Sequence, residues 1–124
     1  MLQLRSMINV ADNSGAKIVS MIGIPGRGRK MKASVGDVIT CVVKHATPHG
    51  QTKKSEVVRA VIVRTRKEKG RADGSYIRFD DNACVILAGK DVTDPKGTRV
   101  FGPIAKEVKE KGFAKISSLA EEIY

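Results

Sequence analysis

Basic side chains gathered in three short stretches are the residues of this chain best placed to do chemistry, and phosphate binding is the chemistry they suit. The first stretch, 26–32, carries Arg27, Arg29, Lys30 and Lys32 with no acid among them. The second, 44–54, carries Lys44, Lys53 and Lys54, and the third, 64–73, sets Arg64, Arg66, Lys67, Lys69 and Arg71 against Glu68 and Asp73. Together they hold the whole formal charge of +10, because the bases and acids elsewhere cancel. Clustered cations release condensed counterions together, which gives affinity for a polyanion and makes that affinity salt-dependent. Arg forks across two phosphate oxygens while Lys offers a mobile point charge, so a mixture can follow an irregular backbone. Charge kept only for solubility would be scattered rather than gathered.

Other constellations carry less. His45 and His49, four apart, would share one face of a helix and could pair on a metal. Pro48 and Gly50 oppose a helix there, and no further His or Cys stands near in sequence to complete a site. No metal is expected, and His49 joins the phosphate-facing set as a residue able to stack or hydrogen-bond. Gly26-Arg27-Gly28-Arg29-Lys30 lacks the third glycine and the following helix that a dinucleotide loop requires. Asp80-Asp81 precedes Asn82 in a turn, and Ser14 and Ser75 also occupy turns, where short polar side chains serve the backbone. No nucleophile stands with a base, so neither a catalytic residue nor a cofactor is expected. Cys41 and Cys84 lie in apolar runs, which favours reduced buried thiols over a disulfide, a zinc site or a catalytic thiol.

Strands must hold these loops. Met7–Ala11 reads as a first strand, Asp12-Asn13-Ser14-Gly15 as a turn, Ala16–Ile24 as a second strand ended by Pro25-Gly26, and Val38–Lys44 as a third. In the stretch 56–87 the run Val57, Val58, Val61, Ile62, Val63 suits a buried strand. Asp73-Gly74 marks a turn, Tyr76–Phe79 brings the chain back with Arg78 among the basic candidates, and Ala83–Leu87 makes another strand. This predicts a hairpin with apolar walls and a cationic tip. Pro103 is placed as the first residue of a helix that Gly112 ends, with Glu107 and Lys111 as an exposed pair; Ser118-Leu119-Ala120-Glu121 has capping-box spacing for one last turn.

A chain of 124 residues predicts one domain over 1–124, with a barrel over about 1–102 and a helical tail over about 103–124. The fold class is mainly β: a small antiparallel barrel, whose closure removes unpaired edges. No apolar run approaches the roughly 20 residues that span a bilayer. Met1-Leu2-Gln3-Leu4-Arg5 lacks a signal pattern, so a cytoplasmic setting without a membrane partner is expected.

Three separated segments stand in a recognisable order and spacing: Asn9-Val10-Ala11-Asp12-Asn13-Ser14-Gly15-Ala16, then Ala60-Val61-Ile62-Val63 with Asp73-Gly74, Phe79, Asn82, Val85 and Ile86, then Gly97-Thr98-Arg99-Val100-Phe101-Gly102-Pro103. In these segments the chain resembles the large-subunit ribosomal protein fourteen family. The resemblance implies a five-stranded barrel with a projecting β-ribbon and short C-terminal helices. It implies a non-enzymatic constituent of the large ribosomal subunit, in a bacterium or an organelle, that binds large-subunit rRNA and meets small-subunit rRNA at intersubunit bridges. Ribosomal proteins three and nineteen are its implied neighbours, and a ribosome silencing factor its implied ligand, with Thr98, Arg99 and Lys115 matching the family positions of that partner face. Two other classes stand beside it. A free-standing single-strand-binding barrel would need exposed aromatics, yet Tyr76, Phe79, Phe101, Phe113 and Tyr124 are few, and the three Phe read as core. A protein-interaction adaptor would use the neutral C-terminal end.

Overall fold

The computed structural model describes residues 2–26, 32–48, 50–89 and 92–124. Strands β1 (Met7–Val10), β2 (Ala16–Gly23), β3 (Val38–Ala46), β4 (Val57–Arg64) and β7 (Ala83–Ile86) close into a barrel in the order β1-β2-β3-β4-β7. Between β4 and β7, β5 (Lys69–Gly70) and β6 (Tyr76–Ile77) pair as a separate two-stranded ribbon. The expected mainly β fold with a five-stranded barrel is present; four of its five seams are antiparallel, and β1 and β7 run parallel. Strand direction cannot alternate all the way round a ring of five, so one parallel pair is unavoidable.

Alternation along β4 builds two cores. Ala60 and Ile62 point inward with Ile8, Val19, Met21, Ile39, Val43 and Ile86. Val61 and Val63 point outward under the chain's last quarter, against Ile104, Val108, Phe113 and Ile116. A strand buried on both faces explains the nearly continuous β-branched run.

The C-terminal segment departs from expectation. Pro103–Ile104 is not the start of a helix but a short strand, β8, parallel to β9 (Glu122–Ile123). Ala105 N–H donates to Val63 at 3.1 Å and Tyr124 N–H to Ile104 at 2.9 Å, so these long-range bonds take groups a helix would have used. Helix α1 (Lys106–Glu110) starts later, and Gly112, at φ +99°, follows its end as anticipated. Ser118 lies inside α2 (Ala114–Leu119), where its hydroxyl donates to Lys115 O at 2.8 Å, instead of capping a last turn.

At one end of the barrel the turn after β1 is locked from inside. The buried Asp12 carboxylate accepts from Ser14 Oγ at 2.7 Å, Ser14 N–H at 3.1 Å and Ile86 N–H at 2.9 Å. Burial nonetheless pushes this carboxyl up, against the hydrogen bonds that hold it down. Gly15, at φ +105°, crosses Gly50 so closely that a Cβ on it would lie 2.8 Å from Gly50 Cα. With Thr47 N–H donating to Gly15 O at 2.7 Å, this crossing fixes the β3–β4 connection to the first turn.

Cys41 and Cys84 are free, buried thiols. Burial pushes Cys41 up to about 12 and Cys84 well above the ordinary thiol range. The folded protein therefore keeps both protons where the unfolded chain loses them. Stability should be full below about pH 8.5 and fall above it, by about 1.4 kcal/mol per pH unit for each thiol. Neither thiol should react with a maleimide at neutral pH until the chain unfolds, and Ala at either position should cost about 1 kcal/mol through lost packing. Rapid labelling of the native protein, or metal released on substitution, would overturn this reading.

Candidate nucleic-acid interface

Strand directions sort the basic stretches by barrel end. The β2–β3 connection, 24–37, and the β4–β7 connection, 65–82, leave one end; the β1–β2 turn and the β3–β4 connection leave the other. The described ends of the first basic stretch, Gly26 and Lys32, thus lie at the same barrel end as the third stretch, and the described lysines of the second lie opposite.

Arg27, Arg29, Lys30 and His49 lie outside the described residues. Lys32 is exposed and adjoins Ala33, which exchanges backbone hydrogen bonds of 2.7 and 2.8 Å with Leu2. One root of the first basic loop is therefore fixed to the barrel. At the opposite end Lys44, Lys53 and Lys54 are all exposed. Ser55 N–H donates to Val43 O at 2.8 Å, which holds the lysine pair beside the end of β3.

The third stretch divides by side-chain role. Arg64 is not a tip residue: its side chain is 12% exposed and its guanidinium is occupied within the protein. Nε reaches Asp81 Oδ1 at 3.0 Å and Nη2 reaches Oδ2 at 3.3 Å, while Nη1 donates to Phe101 O and Pro103 O at 2.9 and 3.1 Å. Gly102, at φ +78°, leaves the room this guanidinium fills. Arg71 folds back to the tail, donating to Glu107 Oε1 at 3.0 Å and to the carbonyl of Tyr124. The anticipated exposed pair of Glu107 with Lys111 is accordingly replaced: Glu107 is buried against Arg71, and Lys111 Nζ reaches the buried Asp37 at 2.9 Å. The ribbon is tied to the tail rather than standing free.

Arg66, Lys67 and Arg78 remain exposed and Lys69 half-buried, with Arg66 N–H held by Asn82 Oδ1 at 2.9 Å. The Glu68 carboxyl is held low by its own backbone N–H, then by Lys67, with a smaller contribution from Arg78. Part of the Lys67 charge is therefore answered locally by Glu68, whose carboxylate lies 3.6 Å away between exposed side chains. Arg59 was hidden from charge counting inside the β-branched run of β4, yet it is half-buried rather than enclosed.

The second surface is organised by Asn13. Its Oδ1 accepts from Thr98 N–H at 2.7 Å and Arg99 N–H at 3.1 Å, and its Nδ2 donates to Thr98 Oγ1 at 2.9 Å. Lys115, on α2, meets Asp94 of the same loop at 3.4 Å between exposed side chains. Phe101 is 48% exposed near this loop, so its reading as core is corrected, while Phe113 is buried as anticipated. Among the described residues no group of His, Cys, Asp and Glu could hold a metal ion, and no helix is long and apolar enough to cross a membrane.

The chain matches the family described as ribosomal protein L14p/L23e over residues 1–124. It is 56% identical over 124 residues to the large ribosomal subunit protein uL14 of Petrotoga mobilis, covering the full length of both chains. It is 58% identical over 123 residues to the proteins of that name from Aquifex aeolicus and Aquifex pyrophilus, covering 99% of each chain.

Proposed function

We propose how a chain that belongs to the ribosomal protein L14p/L23e family, and is thus a structural constituent of the large ribosomal subunit rather than an enzyme, divides its surface between rRNA and partners. Its place is the ribosome, in the cytoplasm. The cations that leave the barrel without a buried acid, Lys32, Lys44, Lys53, Lys54, Arg66, Lys67, Lys69 and Arg78, hold large-subunit rRNA, together with Arg27, Arg29, Lys30 and His49. The observation that carries this reading is the split within the third stretch: Arg64 and Arg71 turn inward to acids and carbonyls, and the bases between them turn outward. Phosphate contacts of this kind position a protein on folded RNA without reading bases.

The face of Thr98, Arg99 and Lys115 serves the ribosome silencing factor and lies near an intersubunit bridge with small-subunit rRNA, while ribosomal proteins three and nineteen adjoin the body. Two exposed cations on a locally neutral surface give a reversible contact rather than an anchor. Sedimentation of tagged protein from lysate tests the division. Arg99→Glu with Lys115→Glu should still co-migrate with large subunits, because the basic loops are untouched, and those subunits should lose silencing-factor binding. Failure of the double variant to enter large subunits would make this face an rRNA anchor and refute the proposed division.

A further inference from the structure

The outer face of β4 changes character along its length. Val63 and Val61 are covered by the C-terminal helices, Val57 is 61% exposed, and Arg59 stands between them at the edge of the cover. Two clefts of about 550 and 540 Å³ open beside Arg59 and share it, Leu87 and Gly89 in their walls. The first includes Val38 and Phe113 and runs to Pro25-Gly26, the root of the first basic loop. The second includes Lys96, which is already answered by Glu56 at 3.5 Å. Arg64 and Arg71 each find an acid, but Arg59 has none among the described residues.

A partly desolvated guanidinium that no acid answers among the described residues gains from an incoming anion. From Gly26 in the wall of the first cleft the sequence continues through Arg27, Arg29 and Lys30, and such a run of cations favours a polyanion over a single acidic side chain. Clefts of this size fall in the roughly 300–1,000 Å³ range of sites that enclose a small ligand. RNA is recognised through unstacked nucleotides whose bases lie on aromatic rings or guanidinium planes. We propose that the double cleft around Arg59 holds one unstacked nucleotide of the RNA, with the guanidinium on its phosphate or base and the Val38–Phe113 wall against the base face. This deepens the rRNA reading above and rests on it.

Titration of the ¹⁵N-labelled full chain with single-stranded hexauridylate, and separately with inorganic phosphate, tests the site. The amides of Arg59, Ala88 and Gly89 should shift saturably with the hexamer. Arg59→Gln should weaken hexamer binding about tenfold, as for loss of a charge-assisted hydrogen bond, and Arg59→Lys should fall between. Both variants should melt with the native chain, which separates lost binding from lost folding. Shifts confined to the basic loops would overturn the cleft and leave the rRNA reading standing. Native affinity in Arg59→Gln would also overturn it and leave the cleft to a protein chain. Equal shifts with phosphate alone would reduce it to an anion contact and overturn the nucleotide. Absence of any RNA-induced shift anywhere would overturn both readings together.

Discussion

Replacing Arg64 or Arg71 with alanine is expected to lower folding stability by about 3 kcal/mol each, a large share of the roughly 5–15 kcal/mol that holds a domain together. The Arg71 substitution leaves Glu107, whose side chain is 10% exposed, as a buried carboxylate without its cation. The Arg64 substitution removes donors from Asp81 and from two carbonyls at once. Asp81 is 37% exposed and can rehydrate, so the carbonyls of Phe101 and Pro103 carry much of the Arg64 cost. Pairing Arg71→Met with Glu107→Leu should recover part of the loss, because the stranded charge goes with its partner. Lys67→Ala should shift stability by no more than about 0.5 kcal/mol, since its pair with Glu68 spans 3.6 Å between exposed side chains. Urea midpoints at constant slope measure all of these. An Arg64→Ala chain with a native midpoint and reduced rRNA affinity would show that its guanidinium serves RNA instead.

The contrast between Arg64 and Arg66 marks where reading the sequence stops. Alternation and β-branched composition are local properties, so the barrel strands and the turns at 12–15 and 73–74 were legible in the sequence to within a residue or two. Charge is local too, and the three basic stretches stand out in any count. Which charge faces solvent depends on partners far along the chain: Asp81 is 17 residues from Arg64, and Glu107 is 36 from Arg71. Neither acid carries a local mark of its role. Arg59 was missed for the converse reason, since its neighbours in sequence are apolar and the cleft beside it is assembled from β3, β4, the loop after β7 and the start of α2. Pro103 misled in the same way. Its fixed φ suits a helix start or an extended strand, and only the tertiary bonds of Ala105 and Tyr124 decide between them.

Binding to large-subunit rRNA should depend steeply on salt. With about five phosphates neutralised, log K should fall with a slope near −4 in log salt concentration, a loss of about 250-fold between 50 and 200 mM. On the proposed division, the outward-facing cations set that slope. Changing Arg66, Lys67, Lys69 and Arg78 to Gln removes cations that are exposed or half-exposed, so the slope should flatten by about 0.9 for each phosphate no longer neutralised, with little effect on the urea midpoint. Including Arg64 would confound the measurement, because unfolding would mimic weak binding. Lys44, Lys53 and Lys54 leave the opposite end of the barrel, so their replacement is an independent arm. If RNA wraps both ends, the two sets should flatten the slope additively, as expected for sites far apart with no shared partner. Flattening by one set alone would confine the RNA to that end and leave the other for protein neighbours. A binding constant indifferent to salt would remove the electrostatic reading of all three loops.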